Sequence, residues 1–295
     1  DYGQGLRERA LGRFRDLLGY TAHHPAMLRY LDNEQNAAHR INENYARELM
    51  ELHTLGIGGG YSQRDVQELA RVLTGLGVNL GDNRPKLKPA QEAQYHRVGL
   101  MEFNPARHDF GDKQLLGTTI KGRGFAEIDQ VLDLLASHPS TARFVSRQLA
   151  QYFVADDPPN ALVERMAQRW LQTDGRIAEV MRAMVASPEF EASLGHKFKD
   201  PMHYVVSAVR LAYADRVVLN TAPMTGWLYR LGQAPYNRQT PDGYAMDESA
   251  WAGPGQMTTR FEIARAIGSG SAGLFKVEGE KQDRPAFPPL AHPLY

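Results

Sequence analysis

Cysteine is absent from the 295 residues of this chain. Its absence excludes disulfide bonds, metal sites built from thiolates and a cysteine nucleophile. An excess of charge is also missing, because 34 Lys and Arg residues balance 34 Asp and Glu residues. A net charge of zero gives no bulk attraction to polyanions. We therefore predict that the chain binds neither nucleic acid nor an anionic membrane surface.

Long apolar runs and common catalytic signatures are missing too. No stretch approaches the roughly 20 apolar residues of a membrane-spanning helix, and no signal peptide is evident. The glycines at 58–60 lack the lysine and the preceding strand of a phosphate-binding loop. The motifs HExxH, GxSxG and CxxCH do not occur. Because the chain begins Asp1-Tyr2-Gly3 without an initiator methionine, we interpret it as a mature or truncated fragment, the C-terminal part of a longer protein.

Helical periodicity is the main signal that the sequence does contain. Apolar residues recur at helical spacing, and Pro, Gly and capping residues punctuate them. The predicted fold is mainly α, a multi-helical globular domain with a small β-hairpin-like insertion near 98–121. Strand candidates are 98–103 and 114–121. Helices are expected near 6–19, 25–31, 42–56, 62–75, 125–137, 140–154, 159–172, 175–187, 201–214, 222–231 and 254–268.

The predicted domain organisation is simple. We expect residues 1–295 to form one helical domain with a sub-boundary near residue 122. Residues 77–97 are rich in Gly, Pro, Asn and Lys and are expected to form a loop. The prolines and missing periodicity of 269–295 predict an extended tail.

Polar residues are most concentrated in the predicted helix that follows Asn42. At 100° per residue, Asn44, Arg47, Glu48 and Glu51 share one face. Carboxylates spaced in this way can bind a metal ion or divide acid and base duties. The alternative is a solvated face with an ion pair between Arg47 and Glu51. The sequence leaves both interpretations open.

Histidines supply the second group of candidates. His53 falls on the apolar side of the same helix, which predicts a buried side chain hydrogen-bonded to backbone, near a helix end that would favour its charged form. His108 and Asp109 lie between the strand candidates, where they could act as a general base and its orienting partner. A plain turn is the alternative, since adjacent side chains usually point apart. A divalent metal would need Glu48, Glu51 and His108 as its ligands.

Aromatic residues near the C-terminus give a third candidate. They could stack on sugar rings or, as we favour, anchor loops in the core. Under the binding interpretation, Trp251 contacts substrate together with Asn44. The aromatic residues are Trp227, Tyr229, Tyr236, Tyr244 and Trp251.

Long motifs along the chain resemble one bacterial family. They are Ala10–Leu18, His24–Asn33, Asn42–Gly60, Tyr61–Val66 with Leu73–Gly75, His108–Asp109 with Leu116–Gly117, His138–Phe144, Gln233–Tyr236 and Trp251. Together they resemble the family called domain of unknown function 1800 over nearly the whole chain. The resemblance implies a bacterial, periplasmic or secreted protein, commonly encoded beside an uncharacterised sulfatase-like family. It also implies a further N-terminal portion, rich in aromatic residues and histidine, that this sequence lacks.

These observations support two functional hypotheses from different classes. The first is an exported hydrolase or lyase acting on a cell-surface or extracellular polymer such as a polysaccharide, with or without a divalent metal. Glu48 and Glu51 would exchange protons or bind the metal, Arg47 would hold an anionic group, and His108 with Asp109 would transfer protons. The second is a non-catalytic helical scaffold or binding module for an adjacently encoded partner protein. A redox or haem protein is a third class that no binding motif supports.

Overall fold

A computed structural model describes residues 1–81, 83–214 and 216–276 of the chain. Helices dominate these residues, which confirms the mainly α prediction. The helices are α1 (Tyr2–Arg9), α2 (Phe14–His23), α3 (Pro25–Tyr30), α4 (Asn44–Glu48), α5 (Gln63–Val72), α6 (Pro89–Glu92), α7 (Phe125–Ser137), α8 (Pro139–Phe153), α9 (Asn160–Gln172), α10 (Ile177–Val185), α11 (Pro188–Ser193), α12 (Pro201–Tyr213), α13 (Ala222–Arg230) and α14 (Pro254–Gly268). No helix among the described residues is long and apolar enough to cross a membrane.

Short antiparallel strands form two small sheets within the described residues. The strands are β1 (Leu76–Val78), β2 (His96–Val98), β3 (Met101–Phe103), β4 (Lys113–Leu115) and β5 (Thr118–Ile120). The first sheet has the order β1-β3-β2, with Phe103 opposite both Leu76 and His96. The second sheet is the β4–β5 hairpin, in which Lys113 lies opposite Ile120.

Each predicted strand is in fact a tight hairpin, so the two do not pair with each other. Gly99 turns the chain between β2 and β3 with a φ of 59°. Leu116 and Gly117, with φ of 49° and 75°, turn it between β4 and β5. Two-residue turns that match strand twist need positive φ either at the first central residue, as at Gly99, or at both, as at Leu116 and Gly117. The apolar pattern of the sequence continues across both turns, so that each hairpin was predicted as a single strand.

The first predicted helix, 6–19, is also wrong, because a turn at Gly12 separates α1 from α2. The Gly12 carbonyl accepts a hydrogen bond from the backbone of Ile177 at 2.9 Å, and Phe14 N donates to Gly175 O at 2.8 Å. These contacts with the α9–α10 connection fix the break. Gly19, the expected terminator, lies inside α2.

The predicted central helix changes its winding part-way along. After α4 the backbone continues as a π-helical segment, Leu49–His53, before it ends at Gly56, where φ is 82°. The following helix α5 opens with a capping box, in which the Ser62 and Asp65 side chains each bond the other's backbone.

Contacts divide the chain into two compact units. One comprises Asp1–Phe153 with Pro158–Ala192, and the other Val154–Asp157 with the described residues from Ser193 onward. Residue 122 lies inside the first unit. The predicted single domain with a sub-boundary near that residue stays a prediction. Most of the predicted extended tail, from residue 277 onward, lies outside the described residues.

Each unit has its own core. In the first, the buried Trp170 donates a hydrogen bond to the Ala136 carbonyl at 3.2 Å and packs against Phe14, with ring centroids 4.9 Å apart. In the second, α12, α13 and α14 bury a cluster around Trp227 and Ile263. Burial of such apolar area is the main stabilising contribution to both units.

Candidate active site

Helix α2 presents a polar side to a cleft in the first unit. Its apolar residues Phe14, Leu18 and Ala22 are buried. The residues that line the cleft instead are Arg15, Asp16, Gly19, Tyr20 and His23, at the spacing i, i+1, i+4, i+5 and i+8. This spacing describes one continuous strip of a helix. The helix ends at His23 because the next residue precedes Pro25 and adopts an extended backbone.

The cleft has a volume of about 500 Å³ and opens to solvent. Its remaining walls come from α1, α7 and the β2–β3 hairpin. Besides the α2 residues they include Arg9, His24, Pro25, Val98, Met101 and Asp129. A cleft of this size with a few convergent polar groups is typical of a small-molecule or oligomer site.

Arg15 joins α2 to α7 at one side of the cleft. Its Nη2 lies 2.9 Å from Asp129 Oδ1, and its Nε lies 2.5 Å from Asp133 Oδ1. Gly19 leaves room for this arrangement, because a Cβ there would stand 2.6 Å from Arg15 Nη1. The α2 glycine and the α7 carboxylates therefore set the position of one positive charge in the cleft wall.

His23 is a neutral imidazole with one defined tautomer. Its Nδ1 lies 2.8 Å from the Gly19 carbonyl, which can only accept, so Nδ1 bears the proton. Its Nε2 is buried and finds no hydrogen-bond partner in the described part of the chain. Burial is the main reason why the pKa of His23 is lowered, and the charges of Arg15 and His96 lower it further. The charge of Asp129 and the hydrogen bond to the Gly19 carbonyl raise the pKa, but they do not cancel the effect of burial. Nε2 thus presents an unshared electron pair.

His24 has the opposite tautomer. The backbone N–H of Ala26 donates to its Nδ1 at 3.1 Å, so the proton of the neutral ring lies on Nε2. Burial lowers the pKa of His24 as well, which favours the neutral form. The two imidazoles that line the cleft therefore hold opposite tautomers: the buried Nε2 of His23 carries an unshared pair, and the Nε2 of His24 carries a hydrogen that can be donated in a hydrogen bond.

The charged face predicted on the central helix is a surface ion-pair network. Arg47 contacts Glu51 at 3.4 Å and Glu43 at 3.1 Å, and donates to Gln63 at 2.8 Å. Each of these ionic side chains is about one-third exposed. The Arg47–Glu51 pair is the one expected of a solvated helix face.

Tyr61 extends this network towards the two predicted catalytic carboxylates. Burial, followed by the hydrogen bond and negative charge of Glu51, raises the pKa of Tyr61 to about 12. Glu48 adds to the shift through its charge, so Glu48 and Glu51 both lie near the phenol. Asn44 is turned elsewhere and donates to the Leu31 carbonyl at 3.2 Å. The structure therefore brings Arg47 and Glu51 together, and the charge of Glu48 acts on Tyr61.

His53 departs from its expected environment. Its Nδ1 is buried without a hydrogen-bond partner, where a backbone bond was expected. Burial lowers the pKa of His53 to about 4, so its charged form is disfavoured. The predicted helix-end attraction is outweighed because the π-helical turn places the ring in a poorly solvated position.

His108 and Asp109 point in different directions, as adjacent residues usually do. The buried His108 ring lies with Nδ1 2.7 Å from the Thr74 carbonyl and Nε2 2.6 Å from Glu127 Oε1, although the second contact is out of line for a hydrogen bond. Asp109 faces Arg71, which contacts it through Nε at 2.7 Å and Nη2 at 3.2 Å. The hydrogen bonds from Arg71 hold the pKa of Asp109 below its usual range.

The described residues offer no group of three or more His, Asp or Glu side chains that could hold a metal ion. Glu48, Glu51 and His108 do not form such a group. Glu51 belongs to the ion-pair network around Arg47, which is about one-third exposed, whereas the side chain of His108 is fully buried.

Trp251 lies in the second unit as a buried anchor of the connection before α14. Its Nε1 donates to the Ala245 carbonyl at 2.9 Å, and its ring packs near Tyr244 with centroids 6.2 Å apart. This environment is the loop-anchoring alternative weighed for the C-terminal aromatic residues.

Comparison with known proteins gives one match. The family described as "Protein of unknown function (DUF1800)" matches residues 1–289. The chain belongs to this family. No curated protein and no solved structure matches it.

Residues of the cleft were missed by sequence reasoning although they lie in or near motifs shared with the DUF1800 family. One pattern in the sequence could have indicated that α2 lines a site. Polar residues recur on the side of α2 opposite its buried apolar residues, at Arg15, Asp16, Tyr20 and His23. Asp129 had no such signal, since it is separated from Arg15 by 114 positions.

Proposed function

We propose that the cleft beside α2 is the active site of a hydrolase or lyase that uses acid–base catalysis. The observation that supports this most is the pair of opposite tautomers: His23 offers an unshared pair at Nε2, and His24 offers an N–H at Nε2. In this proposal His23 takes a proton from water or from a carbon acid and then returns it to the leaving group, while the Nε2–H of His24 donates a hydrogen bond to the developing oxyanion. Positioned acid–base groups each contribute about 10²–10⁴ in rate.

The proposed substrate is a segment of a cell-surface or extracellular polymer such as a polysaccharide. An open cleft admits part of a long chain, whereas a closed cavity would not. The ring of Tyr20 lies in its wall, with the Arg9 guanidinium 4.5 Å from the centroid. Aromatic faces of this kind are suited to stacking on sugar rings. Arg9 would bind an anionic substituent such as a carboxylate.

The family resemblance supports a location outside the cytoplasm, in the periplasm or medium. Fractionation of a producing bacterium, with detection by antibody, tests this part. Recovery of the protein only with cytoplasmic markers would contradict it.

The catalytic proposal is tested by incubating the purified chain with a panel of neutral and uronate-containing polysaccharides. New reducing ends report hydrolysis, and ultraviolet absorbance of an unsaturated product reports elimination. His23→Gln is expected to lower kcat/KM by about 10²–10⁴. The control is His39→Gln, because His39 is exposed and does not line the cleft.

Two results would count against the proposal. One is a His23→Gln variant that folds normally and keeps the rate of the parent. The other is saturable binding of a partner protein at the cleft with no turnover of any polymer, which would favour the scaffold hypothesis.

A further inference from the structure

Arg260, on α14 of the second unit, is a buried cation between two aromatic rings. The residue is 5% exposed. Its Cζ lies 4.8 Å from the ring centroid of Phe198 and 4.8 Å from that of Tyr204. The Tyr204 hydroxyl also donates to the Arg260 carbonyl at 2.6 Å, which ties the ring to the same turn of helix. The rings stabilise the positive charge through cation–π attraction.

One edge of this guanidinium is unpaired. Nε and Nη2 of Arg260 are both shielded from solvent and have no hydrogen-bond partner among the residues that the structure describes. The carboxylate of Asp200 attracts Arg260, but it accepts from the backbone N of His203 at 2.8 Å and lies 3.2 Å from His203 Nδ1. A guanidinium stays charged in proteins, so it cannot escape the cost of burial by losing its proton. Two buried donors on a charged group therefore lack an acceptor.

The same edge of other arginines in this chain holds a carboxylate. Arg71 contacts both oxygens of Asp109 through Nε and Nη2, at 2.7 and 3.2 Å. Arg143 contacts both oxygens of Glu164 in the same way, at 2.6 and 3.2 Å. The fork matches two oxygens of one anionic group. The same pair of donors in Arg260 faces no carboxylate among the described residues.

We propose that the Nε–Nη2 edge of Arg260 is the binding site for a small oxyanion, a carboxylate or a phosphate. The oxygens of the ligand would meet the guanidinium at this edge, because the rings of Phe198 and Tyr204 already pack against the group. Side chains that shield the edge must move to admit it, since neither nitrogen is exposed in this structure. The site lies in the second unit and is independent of the chemistry proposed for the α2 cleft.

Calorimetric titration of the full chain with acetate, inorganic phosphate and chloride tests this site. Millimolar concentrations and constant ionic strength keep general salt effects on stability small. The expected result is saturable binding of one acetate or one phosphate, with no saturable binding of chloride. Comparison of the acetate and phosphate arms identifies the class of ligand.

Two variants on α14 test whether oxyanion binding needs the paired Nε and Nη2 donors of arginine or only a positive charge. Arg260→Lys keeps the charge but removes the fork, and is expected to weaken oxyanion binding at least tenfold. Arg265→Lys, at an exposed position of α14, is expected to bind as the parent does. Unchanged affinity in Arg260→Lys would overturn the proposal, as would the absence of saturable acetate and phosphate binding in the parent.

Asp200→Asn provides a further test if Arg260→Lys does not fold. Asparagine keeps the N-cap of α12, while the change removes a negative charge that attracts Arg260. Oxyanion affinity is expected to rise about threefold. An affinity that stays the same or falls would contradict the site.

Discussion

Nε2 of His108 lies 2.6 Å from Oε1 of Glu127, and both side chains are fully buried. Nδ1 of His108 lies 2.7 Å from the Thr74 carbonyl, which holds the ring in place. Nζ of Lys113 lies 2.5 Å from the same Glu127 oxygen, so one carboxylate oxygen contacts both a histidine and a lysine inside the core.

The first prediction concerns this cluster. Glu127→Gln is expected to lower the free energy of unfolding by about 3–5 kcal/mol, because it leaves the buried Lys113 without a counter-charge. Chemical denaturation measures the change. The control is Glu164→Gln, whose pair with Arg143 is about half exposed and is expected to contribute under about 1 kcal/mol. Equal losses in both variants would refute the buried-charge account.

The second prediction concerns pH and His53. The folded pKa of about 4 lies below the ordinary value near 6.5, so the unfolded state binds more protons between these values. The contribution of His53 to the free energy of unfolding is fully present above about pH 6.5. It is lost as the pH falls towards 4, which lowers the free energy of unfolding by roughly 3 kcal/mol. Denaturation at a series of pH values measures the loss. His53→Gln should flatten that part of the profile, and an unchanged slope would contradict it.

The third prediction compares two helical glycines. Gly226→Ala in α13 meets no atom within 4 Å and is expected to raise the free energy of unfolding by about 0.5–1 kcal/mol. Gly19→Ala should gain none of this, because its Cβ would displace the Arg15 guanidinium from Asp129 and Asp133. Chemical denaturation of both variants decides the matter. A similar gain at both positions would show that Arg15 can move at no cost.

The fourth prediction rests on the proposed activity. His23 must be neutral to act as a base, and burial lowers its pKa. The acid limb of the kcat/KM profile is therefore expected below about pH 6.5, with full activity above it. An acid limb above that value would show that another group is the base.

Helices from residue 125 onward could be predicted closely from sequence. The expected 125–137 and 254–268 coincide with α7 and α14, since apolar spacing and Pro or Gly boundaries agree there. Short-range signals failed where two residues reverse the chain, as at Leu116 and Gly117, because Leu has no preference for positive φ.

The candidate site was less accessible to sequence reasoning for a different reason. The carboxylates that orient Arg15 and pair with His108 come from α7, and their partners lie far away along the chain. Periodicity reports which face a residue occupies, but not which other face it meets. Asp109 was placed beside His108 in sequence, and the fold turned it to Arg71.

The π-helical segment Leu49–His53 has a consequence for chain length. A π turn contains about one residue more than the α turn that it replaces. Deleting one residue here would let the backbone close α-helical bonds, and every side chain beyond the deletion would rotate by about 100° relative to those before it. The number of residues in this segment therefore determines the direction in which the following side chains point. With the present length, Arg47 and Glu51 remain paired on the surface while the His53 ring turns inward.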